Sequence, residues 1–464
     1  MDFPVFHLDW LGNRMLIALT AIIHVLINHP LAVGAYPLLT LFEWWGYRRN
    51  DAEWDQLTRK IVFVVFIITT SLGALTGVGI WLTTSVVAPF AIGSLLRVFF
   101  WQWLTEWLVF VAEVVLIMCY YLTWGRMVEG RAKRLHIGIG GLLSVFSWLT
   151  MALIVAILGF MMSSGAWTTD QSFFSAVLNP LYVPQLAFRT AFSMTTSGLF
   201  VWFCICFLTA GRVELRARAV RLASGWSLFW LPFCAASAMW YWRAVPRAMK
   251  VNADVALLTQ AFSKWHSTFL LIIALTVSLI AVYVLAGLFK PRLVPRFALL
   301  LPFFLAAWLL GHFERVREFI RKPYVIAGYM YSNGVRVSEM PVFQRDGILP
   351  YATYMSQRQV TSSNRWEAGR DVFMLTCSRC HTTNGVNAVS AKLTNMLGKQ
   401  EWTEQRLTNF ILGMHLTRTY MPPFPGSPAE AEALAGYLKS LQPGRSTQPL
   451  LAATPAQRED GSRD

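Results

Sequence analysis

Between residues 14 and 313 the chain runs again and again for about 20 residues with almost no charge, the length an α-helix needs to cross the hydrocarbon of a bilayer. Eight such runs fall at 14–43, 61–85, 98–124, 137–163, 188–210, 223–242, 265–288 and 297–313. A segment in lipid must satisfy its own backbone polar groups, which only a helix does within one run. The expected fold is therefore all-α, a polytopic transmembrane bundle of about eight helices. The first run is interrupted at Asn28-His29-Pro30, where the missing proline N–H predicts a kink. Charged residues make up only 14% of the chain, against about 25% in soluble domains. A soluble globular enzyme and a disordered chain are both excluded.

The 40 Lys and Arg against 25 Asp and Glu give a net charge of +15, which raises the question of nucleic acid. The positions of the bases answer it. Arg48, Arg49, Arg59 and Lys60 follow the first run, Arg126, Arg131, Lys133 and Arg134 the third, Arg212, Arg216, Arg218 and Arg221 the fifth, and Lys290, Arg292 and Arg296 the seventh. Alternate loops carry the bases, so the charge sets orientation and no nucleic-acid face is expected. The 243–264 loop departs from the trend with Arg243, Arg247, Lys250 and Lys264. On balance both termini are expected outside the cytoplasm. The start Met-Asp-Phe-Pro-Val-Phe-His lacks the basic region of a cleaved signal, so the first helix is expected to be retained.

After Tyr324 the composition becomes that of a soluble segment. The expected organisation is a membrane domain over 1–325, a connector over 326–366, a small all-α domain over 367–442 and a flexible tail over 443–464. Cys119, Cys204, Cys206 and Cys234 lie in apolar runs and read as core residues. Cys377-Ser378-Arg379-Cys380-His381 is different, because C-x-x-C-H is the pattern of covalent c-type haem attachment. Two thiols a helical turn apart reach both porphyrin vinyl groups, and the adjoining His381 presents a nitrogen to the iron. A zinc site would want two further ligands nearby, and no second Cys pair exists. Met421, on the Pro-rich stretch Met421-Pro422-Pro423-Phe424-Pro425, is the expected sixth ligand, with Met414 and His415 as neighbouring alternatives. With helices expected at Glu367–Leu375 and Pro428–Leu441, this order resembles class I cytochrome c domains over about 75 residues.

Ionisable residues inside membrane spans are functional suspects, since burying them is costly. Here they are Arg14, His24, His29, Glu43, Glu106, Glu113, Arg189, His266 and His312. Glu106 and Glu113 lie two turns apart on one helix face, which suits a proton path, a haem edge or an internal hydrogen-bonded pair. His29 reads as a hydrogen-bonded residue at the kink, His312 as a polar residue near the interface, and His7 as a surface residue.

The stretch Arg14-Met15-Leu16-Ile17-Ala18-Leu19-Thr20-Ala21-Ile22-Ile23-His24 resembles the first helix of cytochrome bd oxidase subunit I, and Glu318-Phe319-Ile320-Arg321-Lys322-Pro323-Tyr324 resembles that family's E-x-G-R-Q-P-W segment. Thr76-Gly77, the Glu106 and Glu113 helix ending at Trp124, and His136 follow the family's order. The resemblance implies haem iron ligands at His24 and Glu318, with Arg14 and Arg321 among the haem-binding residues. It also implies a proton path through Glu106 and Glu113, and a second membrane subunit resembling bd oxidase subunit II. Two departures matter. Arg189-Thr190 stands where the family's low-spin haem histidine should be, and Thr268 where its methionine should be. The quinol loop is also short. His266 is a candidate ligand for a relocated haem. Arg189 is expected to pair with a propionate or a glutamate, and Arg315, Arg317, Arg321 and Lys322 to face propionates or the cytochrome domain.

The expected cofactors are one covalent haem c and two haem b, one of which could be haem d. The expected role is an electron-transfer subunit of a respiratory complex in the cytoplasmic membrane, with haem c outside. The expected partners are the lipid bilayer, other c-type cytochromes or redox subunits, and quinone or quinol. An oxygen-reducing oxidase fed by cytochrome c is the main alternative, and quinol oxidation at a site outside the family's pattern is a second.

Overall fold

The computed structural model describes residues 6–258, 266–398 and 402–442, without the side chains of 257–270. The expected tail at 443–464 lies outside the described residues, and so does the side chain of His266. Among the described residues eight helices are long and apolar enough to cross a membrane. They are α1 (Asn13–Arg49), α2 (Ala52–Val87), α3 (Phe100–Thr123), α4 (Gly130–Met162), α5 (Tyr182–Leu208), α6 (Val213–Ala244), α7 (His266–Phe289) and α8 (Leu300–Ile320). The eight apolar runs of the sequence are these eight helices.

The expected kink takes a particular form. Asn28–Val33 is a π-helical turn inside α1, and Thr69–Gly73 is another inside α2. Pro30 cannot donate to the carbonyl four residues back, so the ladder widens by one residue around it. The last helix runs further than the apolar pattern, to Ile320, because Glu314 is buried and paired with the largely covered Arg317 rather than marking a helix end.

The chain forms two compact units. One contains Arg14–Ser338 and Thr419–Pro422, the other Met1–Asn13, Glu339–Arg418 and Pro423–Asp464. In the membrane unit α5 is the central span, with 78% of its most apolar stretch buried inside the protein, against 17% for α3. Its Ser193, Ser197 and Gly198 are small and buried, which lets neighbouring backbones approach closely. A short hairpin, β1 (Tyr324–Ile326) and β2 (Met330–Tyr331), follows α8, and its Ile326 and Met330 pack with Phe99, Phe160 and Trp167.

The second unit is built on α9 (Arg365–Thr376), α10 (Val389–Leu397), α11 (Glu404–Thr417) and α12 (Pro428–Ser440). The first and last helices cross closely, with Phe373 and Tyr437 rings 5.6 Å apart. The α12 N-terminus is closed by a capping box in which Ser427 and Glu430 satisfy each other's backbone donors. The same Glu430 carboxylate accepts from the Ile348 and Leu349 amides, both at 2.8 Å, and so ties the segment before α9 to the closing helix. At the crossing, a Cβ on Gly369 would fall 2.1 Å from the Ala433 carbonyl oxygen. Gly369→Ala is therefore expected to cost about 1–3 kcal/mol by forcing the helices apart. Faster hydrogen exchange in α9 and α12 would report it, with exchange in the spans unchanged.

Candidate functional site

The C-x-x-C-H segment begins where α9 ends. The Cys380 and His381 amides both donate to the Cys377 carbonyl, at 3.0 and 2.9 Å, which turns the chain so that the three residues sit within one tight turn. Ser378, between them, is fully buried and donates to Met374 O at 2.6 Å, anchoring that turn to α9. Burial, aided by the nearby Cys380, pushes the Cys377 thiol up to about 11. The His381 Nδ1 lies 3.2 Å from the Asn387 carbonyl oxygen. A carbonyl only accepts, so the proton sits on Nδ1 and the lone pair on Nε2, the nitrogen an iron would take. Asn387 holds φ at +61° and its side chain donates to Cys380 O at 2.6 Å, closing the loop on the motif.

These residues fit a haem c. Neither thiol is in a disulfide. Among the described residues no group of three or more His, Cys, Asp or Glu is set to hold a metal ion, so the zinc reading of the C-x-x-C pair finds no ligand set. Met421 lies in the Thr419–Pro422 segment, which groups with the membrane unit, where its neighbour Tyr420 packs 5.6 Å from the Phe319 ring.

Three polar clusters among the described residues of the membrane unit take in residues singled out by the sequence. In the first, His24 on α1 faces α2, with its Nδ1 3.0 Å from Thr76 Oγ1 and 2.9 Å from the Asn28 amide nitrogen. A Cβ on Gly77 would lie 3.3 Å from His24 Cε1, so the glycine leaves the ring its space. Both π-helical turns adjoin this cluster, since Asn28 opens one and Gly73, against Asn28, closes the other.

The second cluster joins α1, α5 and α8. Arg189 donates to His29 Nε2 at 2.9 Å and to Glu314 Oε1 at 2.8 Å, and Arg317 donates to the other Glu314 oxygen at 2.7 Å. Arg189 thus does pair with a glutamate, though Glu314 was not among the residues the sequence singled out. Buried donors are left over, because Arg189 Nε, Arg317 Nη1 and Gln185 Nε2 have no partner among the described residues. Unpaired buried donors of this kind suit an anionic group such as a propionate. One turn along α8, Glu318 pairs with Arg321 at 2.5 Å, and Arg14 lies over the Phe319 ring at 5.6 Å.

The third cluster lies at the base-rich end. Glu43, fully buried, accepts from Tyr120 at 2.8 Å and meets His136 Nδ1 at 2.6 Å and Lys133 Nζ at 2.8 Å. Lys133 also reaches Asp55 at 2.8 Å. Toward the middle of α3, Glu113 accepts from Ser147 at 2.6 Å and Thr150 at 2.8 Å. Glu106 and Glu113 are not hydrogen-bonded to each other. Glu106 is half-buried and has no hydrogen-bond or ion-pair partner among the described residues.

A family model described as cytochrome c oxidase, cbb3-type, subunit III matches residues 364–438, the span from just before α9 to the end of α12. No curated protein matches the chain. The chain is an all-α membrane protein that carries a C-terminal cytochrome c domain, and that domain implies a covalent haem c and electron transfer.

Proposed function

We propose that this chain is an electron-transfer subunit of a membrane redox complex, passing electrons between haems in its membrane unit and the haem c at Cys377, Cys380 and His381. The observation that carries this reading is the union in one chain of a cytochrome c domain with a helical bundle holding unpaired buried donors around Arg189 and Arg317. Haem supplies the one-electron chemistry, and the residues supply ligands, charge and burial. His24, oriented by Thr76 and Asn28 beside Gly77, would hold one membrane haem iron. Glu318, kept beside Arg321, would hold a second, and Arg14 and Arg321 would face anionic haem edges. These haems are haem b, or haem b with haem d, by resemblance to cytochrome bd oxidase subunit I. Met421 would be the second axial ligand of haem c. The haem c side faces out of the cytoplasm, where such haems are attached.

Glu106 supports a partner. A carboxylate in a weakly buried span is costly against lipid, and a second membrane subunit would cover it. Other c-type cytochromes or redox subunits would exchange electrons with haem c.

The oxidase reading has its own support in Glu113, buried with Ser147 and Thr150 and seven residues from Glu106, an arrangement suited to moving protons. Quinol oxidation has a cavity of about 620 Å³ between α4, α5 and α6, walled by Trp148, Leu186, Trp230, Phe233 and Trp240. Carbon monoxide separates the first two readings. A relay subunit is expected to keep its reduced spectrum under the gas, and a shifted spectrum would establish an open iron position and favour the oxidase. His24→Ala is expected to remove one non-covalent haem, measured by pyridine haemochrome, and a full complement would refute the ligand assignment.

A further inference from the structure

The cytochrome unit contains a piece from the far end of the chain. Residues Phe6–Asn13 form a closed turn, in which Asn13 donates to Phe6 O at 2.5 Å and accepts from Leu8 N at 3.1 Å, while Gly12 N donates to Leu8 O at 2.7 Å. Asn13 is 1% exposed, so the turn is a built structure and not a loose end. It docks on the loop that follows His381. Asp9 accepts from the Thr383 amide and hydroxyl, both at 2.6 Å, and from the Asn384 amide at 3.5 Å. Val386 N donates to Trp10 O at 3.2 Å. A Cβ on Gly385 would lie 2.0 Å from Asp9 O and 2.5 Å from Trp10 O, so the two backbones are in direct contact.

The docked loop is the one that orients the haem ligand. Thr382 Oγ1 donates to Val386 O at 3.0 Å and Val389 N donates to Thr382 O at 2.8 Å. Between these bonds lies Asn387, whose carbonyl fixes the His381 ring. We propose that Phe6–Asn13 is a positioning strap for haem c, clamping the Thr382–Asn387 loop and thereby holding His381 to the iron. Asp9 acts through the loop and touches neither ligand nor haem. Its carboxyl sits below its ordinary range, because the Thr383, His7 and Asn384 hydrogen bonds outweigh the opposing effect of burial. It therefore stays an acceptor at neutral pH.

This inference rests on the haem c reading, and the two can fail separately, because a chain without covalent haem fails before any variant is made. The test uses full-length protein in detergent as wild type, Asp9→Ala, Asp9→Asn and Gly385→Ala. Hydrogen exchange is followed over 382–390, and the haem c midpoint potential by redox titration. Asp9→Ala removes charge-assisted hydrogen bonds, so exchange in the loop is expected to rise about tenfold or more. The Cβ of Gly385→Ala pushes the strap off with Asp9 intact, and the same rise is expected. Both variants should shift the midpoint potential. Asp9→Asn keeps one acceptor oxygen for the Thr383 amide and gives up the other, so a smaller rise in exchange and a smaller shift than in Asp9→Ala are expected. Unchanged exchange in Asp9→Ala and Gly385→Ala would overturn the docking. Raised exchange with an unmoved potential would reduce the strap to a structural contact. An Asp9→Asn potential shift as large as that of Asp9→Ala, at a clearly smaller rise in exchange, would make the effect one of charge alone, and the positioning role would fall.

Discussion

Replacing Cys377 and Cys380 together by Ala is expected to remove covalent haem from the chain completely. Each thiol can form one thioether to one vinyl group, and no other Cys in the chain is placed to substitute: Cys119, Cys204, Cys206 and Cys234 lie on α3, α5 and α6. The measurement is haem-dependent peroxidase stain after denaturing electrophoresis, which retains covalent haem and loses the rest. Wild type should stain, either single variant should stain more weakly, and the double variant should not stain. Persistent stain in the double variant would contradict the attachment site. On the proposed reading, non-covalent haem in the double variant should stay close to wild type, since the membrane clusters share no residue with this motif.

The second large effect concerns charge in the membrane unit. Glu314 accepts from Arg189 and Arg317 on its two oxygens, and its side chain is 6% exposed. Glu314→Leu leaves two guanidinium groups buried without their carboxylate. Breaking a buried pair in this way costs about 3–5 kcal/mol. The expected result is a large fall in the thermal midpoint of the purified protein in detergent. Arg189→Leu should cost less, because Arg317 still neutralises Glu314. The double variant Arg189→Leu, Glu314→Leu should lose clearly less than the sum of the two single variants. Additive losses would show that the two residues do not act as a pair.

How far the sequence foretold this arrangement depends on how local each signal is. The spans were legible because a bilayer demands an uninterrupted apolar run, and that demand is written along the chain. The C-x-x-C-H motif was legible because both thiols and the histidine must lie within one turn. The end of α8 was not, since Glu314 and Arg317 look like a helix terminus until Arg189 is known to face them from 125 residues away. Glu43 drew notice as an intramembrane acid. Its pairing did not, because Lys133 read as a loop charge and His136, 93 residues further on, was noted only for its place in the family's order. The π-helical form of the α1 kink was half legible: Pro30 announced the break, but not that the turn would widen by a residue over Asn28–Val33.

The strap carries one last consequence, and it concerns parity. Asp9 and Thr383 are 374 residues apart, with all eight spans between them. They meet only if the chain has crossed the bilayer an even number of times. A nascent chain in which one helix failed to insert would leave Asp9 and its docking loop in different aqueous compartments, and the turn would have nothing to close upon. Thr383 follows all eight spans in the chain, so closure waits until they have been made. The strap thus reports the parity of the crossings, and a chain that has missed a single one cannot bring Asp9 to its docking loop.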